Sequence, residues 1–186
     1  MHRKNLKEKL ERYRPVDERE ISAKAKMLDF LDSHEDCFER APAIGHFCGS
    51  CWLENYDGTK FLLSLHGKYK NWVPLGGHAD GDSDIMRVAM KEAHEESGLE
   101  HLEFVSDEIF DIGIYPFPER DGVPAHLHYS IEFLIRASDP NETIKISHES
   151  LDLKWFDKYP PDDMNASDAE LEIIRQFLKW KKCKRP

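Results

Sequence analysis

The sequence predicts an α/β fold in which helices pack on a mixed sheet, and three observations carry that prediction. Ahead of about residue 43 the chain is dense in charge and sets apolar residues at helical spacing. From there on, short apolar segments alternate with polar residues and are separated by turn-forming stretches, the period of strands. A central and a C-terminal stretch return to helical spacing, so the order is helix, strands, helix, strands, helix. With 186 residues the chain can bury the core of one domain. The predicted division is an N-terminal helical extension, 1–42, and a main domain, 43–186.

The N-terminal helix is read in "DEREISAKAKMLDFLDS", where Ile21, Ala25, Leu28 and Leu31 share a face that is expected to pack on the main domain. "AIGHFCGSCWL", the Asp-Gly turn of "NYDGT", and "KFLLSLH" then read as strand, turn and strand. "EFVSDEIFDIGIY" and "HLHYSIEFLIRA" follow the central stretch. In the second, Leu127, Tyr129, Ile131, Phe133 and Ile135 alternate with His126, His128, Ser130 and Glu132, which predicts one core face and one polar face. "SLDLKWF" is a last strand, and "YPPDDMN" breaks the chain before a final helix. That helix opens with a capping box, Ser167 to Glu170, and carries Leu171, Ile174, Phe177 and Leu178 on one side.

Composition narrows the function. The content is 40% hydrophobic and 33% charged, with a formal net charge of -10, which excludes nucleic acid and anionic membranes as general partners. No apolar run approaches transmembrane length, and the first residues lack the apolar stretch of a signal peptide, so a cytoplasmic location is expected. Four cysteines are too few and too scattered for a disulfide framework. Cys48 and Cys51 form a CxxC, readable as a redox pair or half of a zinc site. With no second CxxC, and lying in a strand, they are expected to be small buried residues. If the substrate is an anion, an acidic chain needs a bound divalent cation to reverse the local field.

The central stretch, "GGHADGDSDIMRVAMKEAHEESGLE", meets that need. Asp82 or Ser83 can cap a helix over 84–97 that Gly98 ends, with Leu99 making the hydrophobic contact of the cap. At about 100° per residue, Ile85, Val88 and Ala89 fall on the same side as Glu92, Glu95 and Glu96. The core-facing stripe thus turns acidic halfway along. Those glutamates repel one another, lie where the helix dipole disfavours anions, and pay for partial desolvation. A hard divalent cation removes all three penalties. Magnesium or manganese fits carboxylate and carbonyl oxygens, and the main chain of Gly76 and Gly77 can approach it closely.

The stretch from Gly77 resembles the Nudix box: Gly, five residues of any kind, Glu, seven of any kind, then Arg-Glu-apolar-any-Glu-Glu-any-Gly-apolar. Gly77, Glu92, Ala93, Glu95, Glu96, Gly98 and Leu99 stand at matching positions. Ser83 replaces the first Glu and Lys91 the Arg, so Asp80, Asp82 or Asp84 is expected to serve Lys91. The resemblance implies a Nudix α/β/α sandwich around a mixed sheet. It also implies hydrolysis of a nucleoside diphosphate linked to another moiety, with Mg2+ or Mn2+. Carried over by position, Glu92 and Glu96 are the principal metal ligands, Glu95 completes a second metal position, and the Gly76 carbonyl joins them.

The proton acceptor is a box glutamate or, from a later loop, Glu149. Expected substrate contacts are Trp72, Tyr115 or Phe117 for stacking, Lys68, Lys70 and Arg120 for phosphate, and His126, His128 and Tyr129 of "HLHY". The paired histidines could equally meet a metal. Nucleoside diphosphate sugars and ADP-ribose are favoured over nucleoside triphosphates, and a homodimer is expected. Two alternatives accompany this reading: a Nudix-like module that binds a nucleotide without cleaving it, and an isopentenyl diphosphate isomerase using Cys48 or Cys51.

Overall fold

The structure, a computed structural model, describes residues 2–40, 44–67, 70–120, 122–148, 150–159 and 168–184. Lys68, Glu149 and Ser167, the last of them predicted to cap the final helix, lie outside them. Helices α1 (His2–Arg12) and α2 (Glu18–Ser33) precede strands β1 (Gly45–Glu54), β2 (Phe61–His66), β3 (Trp72–Val73) and β4 (Leu75–His78). Helix α3 (Ile85–Ser97) follows, then β5 (Leu102–Phe104), β6 (Asp111–Phe117), β7 (His126–Ala137), β8 (Ser150–Phe156) and α4 (Asp168–Cys183).

All eight strands form one mixed sheet. Strands β1 and β7 pair in parallel at its centre, while β4 pairs antiparallel with β1 and β6 antiparallel with β7. Because side chains alternate across a strand, residues 46, 48, 50 and 52 of β1 share a face with 128, 130, 132 and 134 of β7, their register partners. The other face carries Phe47, Cys51 and Leu53 with Tyr129, Ile131, Phe133 and Ile135, and α1, α2 and α3 pack there. Helix α4 packs on the first face, where Trp180 and Ile173 meet Trp52, Phe61, Leu63 and Leu134. The result is the expected α/β/α sandwich.

Helix α1 escapes a reading by apolar spacing because its charge conceals a stripe of only Leu6, Leu10 and, just beyond it, Tyr13, all buried with Met27, Phe30 and Phe47. The buried stripe of α2 is Ala23, Met27, Phe30 and Leu31; Ile21, placed by periodicity on that face, is exposed. The larger side chains of Met27 and Phe30 select the register. In α4 the same competition buries Ile173, Gln176 and Trp180, leaving Leu171 and Leu178 exposed. Glu132, expected on a polar face, is buried under the cover of α4.

Helix α3 begins one residue later than its predicted start. Asp84 is the cap, its side chain accepting from the Arg87 amide, while Asp82 is engaged by the Arg87 guanidinium. At the other end Gly98 adopts φ 68°, a left-handed conformation that costs a side-chain-bearing residue about 1 kcal/mol or more. Leu99 is buried beside it, as the cap requires.

Candidate active site

Ile85, Val88, Ala89 and Ala93 bury the inner face of α3, and Glu92 and Glu96 flank that stripe as half-buried residues. Glu95 departs from the expectation. Its side chain is 59% exposed, because the stripe continues through Ala93 and Ser97 rather than through Glu95.

The two inner glutamates face β4. The Gly76 amide donates to Oε1 of Glu96 at 3.2 Å. A Cβ added to Gly77 would lie 2.5 Å from Cδ of Glu92 and 2.7 Å from both carboxylate oxygens, so only glycine lets the strand and this carboxylate meet. Lys91 does not turn to Asp80, Asp82 or Asp84. Its ammonium sits 3.1 Å from Glu92 and 3.2 Å from Glu95, its neighbours along the helix, and these contacts raise its pKa. The loop acids have partners of their own: Asp80 pairs with Arg40, Asp82 with Arg87 and Asp84 with His2. The expected service of Lys91 by a loop acid is thus replaced by separate pairings of those acids with Arg40, Arg87 and His2.

This arrangement fits a hard divalent cation. Two carboxylates one helical turn apart, partly withdrawn from water, face a glycine backbone that no side chain obstructs. Glu92, Glu96 and the Gly76 carbonyl would hold such an ion, with Glu95 at the rim.

The opposite face of the same strands carries a group that the sequence reading divided among separate roles. Gly77 points its missing Cβ at Glu92 of α3, so His78, the next residue, faces away from α3. Cys48 is the register partner of His78, and His46 that of His128. One ligand atom from each of His46, Cys48, His78 and His128 lies within 4.8 Å of the others. Among the described residues these four gather as a group of donors that could hold a metal ion. Burial, aided by neighbouring positive or imidazole groups, pushes His46 and His78 down to about 4 and His128 to about 2. Burial also pushes the Cys48 thiol up to about 12.

The remaining candidates are distributed as follows. Phe117 stacks on His128 with centroids 3.7 Å apart, and Tyr115 donates to Glu172 at 3.0 Å. Arg120 is exposed in a short hairpin bridge to Val123, and Lys70, with φ 58°, ends the loop before β3. Trp72 meets Phe156 edge-on at 5.0 Å. Tyr129, expected beside the histidines, instead lies on the opposite face and stacks on Phe30 at 4.1 Å, because strand alternation turns it into the core. Cys51 is fully buried and Cys48 nearly so, both as free thiols. His46 and His78 were missed as site residues. The signal was present as three short segments, "GHFCG", "GGHAD" and "HLHY", but only strand pairing brings them together.

Solved structures share this fold. An Ap4A hydrolase from C. elegans has a TM-score of 0.53 and 19% identity, over 74% of this chain and 96% of its own. A Nudix-family hydrolase from Clostridium perfringens has a TM-score of 0.53 and 23% identity, over 75% and 98%. An ADP-ribose pyrophosphatase from Streptococcus suis has a TM-score of 0.51 and 17% identity, over 75% and 92%. The chain has the fold of the Nudix hydrolases. No protein-family model matches the sequence, and no curated protein matches it. No described helix is long and apolar enough to cross a membrane.

Proposed function

We propose that this protein is a Nudix hydrolase, a divalent-metal-dependent pyrophosphohydrolase that cleaves the diphosphate of a small nucleoside diphosphate derivative. Nucleoside diphosphate sugars and ADP-ribose are placed ahead of nucleoside triphosphates. The observation that carries the reading is the pair Glu92 and Glu96 held against the Gly76–Gly77 backbone. The fold shared with an ADP-ribose pyrophosphatase and an Ap4A hydrolase supports it. On this reading residues 43–186 are the catalytic unit and 1–42 its helical extension.

Glu92, Glu96 and the Gly76 carbonyl would supply oxygens to Mg2+ or Mn2+, and Glu95 would supply a second position at the rim. When bound, the cation neutralises the diphosphate and lowers the pKa of the attacking water. A box glutamate or Glu149 takes the water proton as the oxygen attacks phosphorus and the bridging P–O bond breaks. Lys91 balances Glu92 and Glu95 before the cation arrives. Arg120 and Lys68 serve as phosphate contacts, whereas Tyr129 and Trp72 pack on Phe30 and Phe156.

An isomerase reading needs a reactive cysteine. Cys48 is turned away from the glutamates and Cys51 is sealed in the core, and burial raises both thiols, which makes them poor nucleophiles.

The test is incubation of the protein and its Glu96→Gln variant with magnesium or manganese and a panel of ADP-ribose, UDP-glucose, GDP-mannose, diadenosine polyphosphates and nucleoside triphosphates. Release of nucleoside monophosphate by the parent alone supports the proposal, and the best substrate names its class. Nucleotide binding without turnover of any member would replace it with the sensor module.

A further inference from the structure

His46 poses the sharpest accounting problem in the molecule. It is 3% exposed, and neither Nδ1 nor Nε2 has a hydrogen-bond partner. A buried polar group without a partner gives up its bonds to water and gains none in return, and imidazole has a donor and an acceptor to satisfy. Protein interiors rarely leave both ring nitrogens idle. Around His46 stand His78 and His128, with ring centroids at 4.9 and 4.7 Å, and the Cys48 thiol two residues along the same strand.

From this geometry we infer that His46, Cys48, His78 and His128 form a closed metal site of three imidazoles and one thiolate, suited to Zn2+. The donor set decides the ion. Three nitrogens and one sulfur suit a borderline-soft transition metal, whereas magnesium and calcium take oxygen. Four protein ligands fill the tetrahedral shell of zinc and leave no position for water, which marks a structural site. Bonds of about 2.0–2.3 Å to a common centre need only a small inward adjustment of ligand atoms already within 4.8 Å of one another.

The surroundings extend the argument by one shell. The carbonyl of Pro124 can only accept, so Nδ1 of His126, 2.7 Å away, carries the hydrogen. With Nδ1–H of His126 committed to that carbonyl, its Nε2 faces Nε2 of His128 at 3.0 Å, which leaves Nδ1 of His128 free of this contact. A relay from backbone carbonyl through one imidazole to another is how metal-bound histidines are held in a single tautomer. Phe117 stacked on His128 fixes the ring plane and shields the group from water.

The three segments that supply the ligands come from β1, β4 and β7, so the ion would clip the short β4 strand to the central parallel pair. It acts on strand placement, not on phosphate. The inference does not rest on the hydrolase reading, because its ligands lie on the other face of the sheet from Glu92 and Glu96.

The experiment is metal analysis of the full chain after dialysis, with cobalt(II) as the spectroscopic probe. One equivalent of zinc is expected in the parent and in Glu96→Gln, and none in Cys48→Ser or His46→Gln. The cobalt form is expected to show tetrahedral d–d bands and a sulfur-to-cobalt charge-transfer band that persists in Cys51→Ser and Cys183→Ser and vanishes in Cys48→Ser. His126→Ala, which removes only the relay, is expected to weaken zinc binding about 10–100-fold. A parent that binds neither zinc nor cobalt overturns the inference, as does a cobalt spectrum without a thiolate band. The parent spectrum decides even where a ligand variant does not fold.

Discussion

The amide of Gly76 donates to Oε1 of Glu96 across 3.2 Å, so a carboxylate near the end of α3 is fastened to the backbone of β4. Glutamine at position 96 can still accept that bond but loses the charge that faces Glu92 one turn away. Glu96→Gln is therefore expected to fold normally and, in chelator, to be more stable by roughly 0.2–0.5 kcal/mol, the relief of one like-charge pair. Its turnover is expected to fall on the order of a hundredfold or more. Paired thermal melts and rates check this, and a variant that is both less stable and fully active would sink the metal-site assignment.

Gly77→Ala inserts a Cβ 2.5 Å from Cδ of Glu92. The carboxylate, the far end of a flexible side chain, must swing aside, so the site is displaced with little loss of stability. Activity is expected to fall with a raised magnesium requirement, read from rates over a magnesium titration. An unchanged magnesium dependence would show that Glu92 does not work from this position.

Arg175 bonds Glu20 at 2.7 Å and also engages Asp111, both fully or almost fully buried, while Lys179 reaches the same two carboxylates at 2.9 and 2.7 Å. Breaking a buried pair on one side costs roughly 3–5 kcal/mol, and Lys179 remains, so Arg175→Met is expected near 3 kcal/mol. For a chain of this size that lowers Tm by about 6–12 °C. A calorimetric scan that shows no shift would mean that Arg175 does not hold the two carboxylates in place.

His101 and Glu142 meet at 2.8 Å, and the same carboxylate accepts from the amides of Glu100 and His101. The contact raises the His101 pKa above 6.5 and lowers that of Glu142 below 4.5. A raised histidine stabilises fully below 6.5 and loses that contribution as pH climbs through its folded value. A lowered glutamate stabilises above 4.5 and loses that contribution as pH drops through its own. The pair is thus strongest between about 4.5 and 6.5. An NMR titration should find His101 above its ordinary value, and Glu142→Gln should return it there.

Much of the fold was legible because its segments obey simple periods. The alternation of Leu127 through Ile135 places β7, and the glycine at 98 ends α3 where the cap chemistry says it must. The acidic stripe was legible for Glu92 and Glu96, which flank buried Ala93. It failed for Glu95, since an arc of roughly 100° spans both a core edge and open solvent. Helix registers were misjudged where two apolar stripes competed, as Ile21 against Met27 and Phe30, because packing rather than periodicity chooses between them. The assembly of His46 and His78 with Cys48 and His128 was out of reach for a different reason. Its register partners are fixed by hydrogen bonding between strands as far apart as β1 and β7.

The bond between Glu20 and Arg175 joins residues 155 positions apart, and Phe30 waits for Tyr129. The apolar face of α2 is covered by β7, and two of the cations beside Glu20, Arg175 and Lys179, come from α4. The two N-terminal helices are therefore seated by strands far along the sequence, and their apolar stripes stay open to water until β1 and β7 have formed. Bringing segments so far apart together costs loop-closure entropy before their contacts repay it, which slows folding and prolongs the time that apolar surface is exposed.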